Sequence, residues 1–285
     1  MGSWSHDQIL GCLLGGAIGD AIGGIDERGS LSLSDDTQLT LATCESFAAL
    51  GRVDPEHLAR TFLEWFRARR ITGIGSATLK AFRDLDAGAH WALCGARGEM
   101  AAGNGGAMRI APLAFVLDGA ADRQLIRDVV RITHHSDEAY SGALAVLLAV
   151  QAPSWISAAD LLTNVADQIP DSRTRDRLRE LALVAETATI PRVAARFGTS
   201  GYVVDTVPLA LFAASAMIGA SFQDGLDALV AAGGDTDTIA SIAGQVVGTR
   251  VGVAGLPREL LEALPERATV ERIGSAFASR LVPAH

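Results

Sequence analysis

From Gln8 onward, Leu10, Leu13, Leu14, Ala17, Ile18 and Ala21 recur at the i, i+3, i+4, i+7 spacing of one helix face. This pattern predicts a buried first helix ending near Gly23-Gly24. After Asp36 the pattern returns with Leu39, Ala42, Thr43, Phe47 and Leu50, and over 53–69 with Leu58, Phe62, Trp65 and Phe66. Further helical windows cover 76–86, 122–133, 137–151, 158–168, 174–187, 206–219, 222–232, 236–251 and 266–280. Period-two alternation bounded by turns is nearly absent, so the expected fold is all-α. With no Pro- or Ser-rich linker and no fixed-period repeat, a single domain over residues 1–285 is expected.

Glycines mark the joints between these helices, at Gly23-Gly24, Gly73-Ile74-Gly75, Gly103-Asn104-Gly105-Gly106 and Gly233-Gly234. Two helix starts are acidic, one of them directly after Gly233-Gly234. Ser34-Asp35-Asp36-Thr37 opens one helix and Asp235-Thr236-Asp237-Thr238 opens another. Capping needs one side-chain oxygen, whereas a second carboxylate adds repulsion that a cation relieves. Residues two apart in a regular helix point about 200° apart, so Asp235 and Asp237 converge only in an irregular turn, which the preceding glycines permit. If the clusters meet, four carboxylates and the hydroxyls of Ser34, Thr37, Thr236 and Thr238 form a hard oxygen ligand set. Such a set selects Mg²⁺, Mn²⁺ or Ca²⁺ over Zn²⁺ or Cu²⁺, and four negative charges match two divalent ions.

Composition adds exclusions. The formal net charge of -9 offers no basic surface for nucleic acid, and no apolar run approaches the length of a membrane-spanning helix. Cys12, Cys44 and Cys94 are widely spaced and form no metal-finger or CxxC pattern, which points to a reducing, cytoplasmic setting. A monomer is expected, with neither nucleic acid nor membrane as partner.

Five ordered segments carry a family resemblance: Gly15-Gly16-Ala17-Ile18-Gly19-Asp20-Ala21, Ser34-Asp35-Asp36-Thr37, Gly103-Asn104-Gly105-Gly106-Ala107-Met108-Arg109, Thr133-His134 and Gly233-Gly234-Asp235-Thr236-Asp237-Thr238. Together they resemble the ADP-ribosylglycohydrolase family, over about residues 8 to 252. The resemblance implies an orthogonal helical bundle with two Mg²⁺ or Mn²⁺ ions at the mouth of a cleft. Carried onto matching positions, the metal ligands are Ser34, Asp35, Asp36, Asp235, Asp237 and Thr238; Ser34 stands where many relatives have Thr, keeping the hydroxyl. The diphosphate of ADP-ribose is expected on the Gly-rich loops Gly73, Ile74, Gly75, Ser76 and Met100, Ala101, Ala102, Gly103, Asn104, Gly105, where backbone N–H groups form anion nests. His134 matches a histidine near the phosphates or ribose, and Asp20 is expected to hold local structure at a helix end.

The implied reaction is hydrolysis at the anomeric carbon of ADP-ribose attached to a protein. Glu27 falls where related members have a catalytic or gating flap glutamate and is the first candidate for proton handling, with Asp36 second. Some arginine-specific bacterial members carry Asp before the Ile-Gly of the first Gly loop, where this chain has Gly73. Arginine-linked ADP-ribose is expected slightly ahead of serine-linked or O-acetyl-ADP-ribose. The alternative from another class is a catalytically silent ADP-ribose-binding protein.

Overall fold

The computed structural model describes residues 4–25, 28–153, 156–218 and 220–282. Fourteen α-helices run through them: α1 (His6–Gly23), α2 (Asp35–Leu50), α3 (Pro55–Arg67), α4 (Ser76–Asp86), α5 (Arg123–Arg131), α6 (Asp137–Gln151), α7 (Ala158–Gln168), α8 (Arg173–Ala182), α9 (Ile190–Phe197), α10 (Val203–Ile218), α11 (Phe222–Ala232), α12 (Thr236–Val251), α13 (Arg258–Ala263) and α14 (Arg267–Ala278). The fold is all-α. Among the described residues the sole sheet is a parallel pairing of β1 (Ala96–Arg97) with β2 (His134–His135), too short to leave an alternating pattern.

Two helices escape the periodicity. Helices α9 and α13 are eight and six residues long, and both start beside a proline, Pro191 or Pro257. Little more than two turns gives too little repetition for a helical face to register. Helix α8 stops at Ala182, short of the expected 187, and turns take over.

Helix α1 is apolar almost all round and is buried over most of its length. Its start is closed by a capping box: the Ser5 hydroxyl accepts from Gln8 N at 3.1 Å, and the Gln8 side chain accepts from Ser5 N at 3.1 Å. What packs it is a row of glycines. Gly11, Gly15, Gly19 and Gly23, four residues apart on one face, meet Gly248, Gly244, Ala240 and Thr236 of the antiparallel α12. A Cβ at Gly15 would stand 2.3 Å from the Gly244 carbonyl oxygen, and one at Gly19 2.1 Å from that of Ala240. The two backbones therefore touch directly. This contact carries the C-terminal turn of α1 to the N-terminal turn of α12. Helices α2, α6, α10, α11, α13 and α14 pack on this pair, the other helices pack around them, and the buried apolar side chains form one continuous core.

Candidate functional site

The end of α1 and the starts of α2 and α12 converge at one point. Asp20, fully buried in the last turns of α1, accepts from Ser34 N at 3.0 Å, from Ser34 Oγ at 2.7 Å and from Thr37 N at 3.1 Å. Its oxygens are thus committed to the first turn of α2. Asp20 works as a strut that fixes this turn, even though one of its oxygens lies within 4.8 Å of carboxylate oxygens of Asp36 and Asp237. On the other side, Thr236 Oγ1 donates to the Gly23 carbonyl at 2.6 Å and pins α12 to α1.

Asp36 lies at the bottom of this junction. Its Oδ2 accepts from Thr238 Oγ1 at 3.1 Å and lies 3.0 Å from Ser34 Oγ, so one hydroxyl from each acidic segment meets on it. Its Oδ1 is buried without a hydrogen-bond partner. A buried carboxylate oxygen with no donor is costly unless a proton or cation compensates it. Asp237 accepts at Oδ1 from Thr238 N at 2.9 Å, and Asp235 Oδ2 accepts from Asn104 Nδ2. The irregular turn expected before α12 is present: Gly233 and Gly234 have φ of 71° and 87°, and Asp235 N donates to Thr199 O at 2.7 Å.

The electrostatics agree with the geometry. Burial, reinforced by Asp20 and Asp237, pushes the Asp35 carboxyl up to about 7. Burial also raises Asp235 to about 6, against the opposing Asn104 hydrogen bond. Asp36 is raised well above the usual carboxylate range by burial and by its four acidic neighbours. An oxygen-only set of crowded carboxylates with an orphaned inward oxygen fits a hard divalent cation.

Above the carboxylates opens a cleft of about 280 Å³. Of the residues expected in it, Asp35, Asp235, Asp237 and Thr238 line the floor, while Gly73, Gly75, Ser76, Met100, Gly103, Asn104, Gly105 and His134 line the walls and rim. Ser34 and Asp36 stand behind this surface, Asp36 being 1% exposed. Ile74, Ala101 and Ala102, expected on the substrate, do not line the cleft. Ile74 packs against the core, Ala101 is buried, and the Ala102 carbonyl accepts from Val203 N at 3.0 Å. Glu27 lies outside the described residues. The N-terminus of α4 opens into the cleft through Gly75, Ser76, Ala77 and Thr78, and no side chain caps it. The Gly75 amide itself is turned to the Asp35 carboxylate.

The second Gly loop has a steric role that the sequence did not reveal. The imidazole of His134, almost fully buried, rests on it: a Cβ at Gly105 would stand 2.7 Å from His134 Cε1, and one at Gly103 3.1 Å from Nε2. Burial, with Arg109 second, lowers the ring to about 3, so it is neutral at physiological pH. The β1–β2 pairing sets Thr133 and His134 behind the loop. Arg109 and Thr133, left without a role by the sequence, form hydrogen bonds behind the ring; their part becomes visible only through tertiary contacts.

Among the described residues no helix is long and apolar enough to cross a membrane, and all three cysteines are free and buried. Residues 3–285 match the sequence profile described as ADP-ribosylglycohydrolase. The chain is 27% identical to the ADP-ribosylarginine hydrolase Tri1 of Pseudomonas putida, over 96% of this chain and 78% of that protein. It is 25% identical to human ADP-ribosylhydrolase ARH3, over 89% of this chain and 88% of that protein. A solved structure titled ADP-ribosylglycohydrolase-related protein complex superposes with a TM-score of 0.75 at 25% identity, covering 97% of this chain and 99% of that one. With this match along nearly its full length, and with both acidic helix starts meeting beneath a Gly-walled cleft, the chain belongs to the ADP-ribosylglycohydrolase family and is an enzyme of that kind.

Proposed function

We propose that this enzyme releases ADP-ribose from ADP-ribosylated protein side chains with the help of two Mg²⁺ or Mn²⁺ ions, and that arginine-linked ADP-ribose is its preferred substrate. The observation that carries the reading is the orphaned Asp36 oxygen beneath a cleft floored by Asp35, Asp235 and Asp237. Asp35, Asp36, Asp235 and Asp237 are the charged ligands, with the hydroxyls of Ser34 and Thr238 beside them. Bound there, a divalent cation supplies positive charge and Lewis acidity at the ribose.

The chain's own residues do the rest. The uncapped N-terminus of α4 favours the diphosphate, because its first-turn N–H groups and helix dipole attract negative charge. Gly103 and Gly105 let the backbone approach the ligand while seating the His134 ring. Asn104 holds the Asp235 carboxylate in place. Water attacks the anomeric carbon as the glycosidic bond opens through an oxocarbenium-like state. Its proton requires a carboxylate with access to the cleft. Asp36 is too deeply buried and too fully engaged at Oδ2 to suit that role. Glu27 remains the candidate, since α1 delivers the chain beside Asp237: a Cβ at Gly24 would stand 3.6 Å from Asp237 Cβ. Glu27→Gln is expected to lower kcat by about a hundredfold or more while leaving ADP-ribose affinity within about threefold, as measured by turnover and calorimetry. An unchanged kcat would remove Glu27 from the mechanism.

The arginine preference draws on the likeness to the Pseudomonas putida ADP-ribosylarginine hydrolase. Mass-spectrometric assay of arginine-, serine- and acetyl-linked substrates, with Mg²⁺ and Mn²⁺ in parallel, tests it. Fastest release is expected from the arginine linkage. Faster serine or acetyl release would overturn the preference, and no release from any of them would overturn the hydrolase reading. The three buried thiols accord with the cytoplasmic location we propose.

A further inference from the structure

Behind His134 runs a hydrogen-bonded chain with a defined direction. Arg109 is 1% exposed, its guanidinium stacked over the Phe62 ring at 5.1 Å. It donates to the Gly105 carbonyl and, at 2.8 Å, to Thr133 Oγ1. A guanidinium has donors only, so the Thr133 oxygen must accept there. Thr133 Oγ1 also lies 2.7 Å from His134 Nδ1, and its single proton is free to point that way. A neutral imidazole accepting at Nδ1 carries its own proton at Nε2. Nε2 has no hydrogen-bond partner among the described residues and lies beside Gly103 and Gly105, in the wall of the cleft.

We propose that Arg109 and Thr133 are positioning residues that lock His134 in its Nε2–H form, so that this point of the cleft offers a hydrogen-bond donor and selects ligands bearing an oxygen acceptor there. The Gly105 carbonyl accepts from the same guanidinium, which ties the loop to the ring it carries. The ring is set by contacts within the protein alone; that the acceptor is a phosphate or ribose oxygen of ADP-ribose rests on the reading above.

The test uses the full chain with Thr133→Val, which keeps the shape and removes the hydroxyl, and Thr133→Ser, which keeps the hydroxyl. Long-range ¹H–¹⁵N correlation spectra of the histidine rings are expected to show His134 with bare Nδ1 and protonated Nε2 in the wild type and in Thr133→Ser. A mixture of tautomers is expected in Thr133→Val. In calorimetric titrations with free ADP-ribose and Mg²⁺, Thr133→Val is expected to bind about tenfold more weakly and Thr133→Ser within about twofold of wild type. A wild-type ring protonated at Nδ1, or at both nitrogens, overturns the proposal whatever the ligand. Equal binding by both variants overturns the positioning role. The stated tautomer in a wild-type protein that does not bind ADP-ribose upholds the lock and overturns the substrate reading instead. Circular dichroism melting of each variant separates these results from loss of fold.

Discussion

Asp36→Asn is expected to fold as wild type does, to gain no thermal stability from Mg²⁺ or Mn²⁺, and to release ADP-ribose about a thousandfold more slowly. The amide fits the same space and can still accept from Thr238 Oγ1, so the hydrogen bond that joins α2 to α12 is kept. What disappears is the charge behind the orphaned oxygen. Without metal the variant is expected to melt above the wild type, because a buried carboxylate crowded by four others has been neutralised. With metal the order reverses, since only the wild type gains binding free energy in its folded state. Melting curves with and without 5 to 10 mM Mg²⁺, roughly saturating for a site of this class, decide the matter. A metal-induced shift as large in Asp36→Asn as in the wild type would remove Asp36 from the ligand set.

Gly15→Val is expected to lower the melting temperature by about 10 °C, taking overpacking at about 3 kcal/mol and roughly 3 °C per kcal/mol for a chain of this size. The side chain has nowhere to go, because its first carbon would already stand 2.3 Å from the Gly244 carbonyl oxygen and 3.1 Å from Gly248 Cα. The helices must separate, and neither partner atom is a flexible side chain that can swing aside. Separation also moves the strut at Asp20 away from Asp237, so metal-induced stabilisation is expected to fall along with the melting temperature. Melting with and without Mn²⁺ measures both. A variant with wild-type stability would mean that α1 and α12 do not meet backbone to backbone.

The elements that set up the centre were legible where a local signal existed. Leu10 to Ala21 announced α1, the helical window 236–251 announced α12, and the acid-hydroxyl runs at 34–37 and 235–238 announced helix starts with more carboxylates than capping requires. The family motifs located the two Gly loops but could not say which side chains turn inward. Ile74, Ala101 and Ala102 lie in those loops and face the core or α10 instead, because sequence adjacency carries no information on orientation. Arg109 was hidden for a related reason. The motif that holds Arg109 gave it no role, and its burial over Phe62 depends on packing against α3, which no local pattern announces. Asp20 was the exception among buried polar groups: a lone carboxylate in an apolar helix has to be satisfied somewhere, and α2 provides the donors.

The bond between Thr238 and Asp36 joins positions 202 residues apart. During synthesis the first acidic run therefore leaves the ribosome long before its counterpart exists, and α1 emerges before the groove of α12 that receives its glycines. On the proposed function, a chain that stops before residue 235 carries one half of the centre and is expected to be inactive. On the same reading, competence waits until α12 has packed on α1, so the centre can be complete only once translation has passed residue 238.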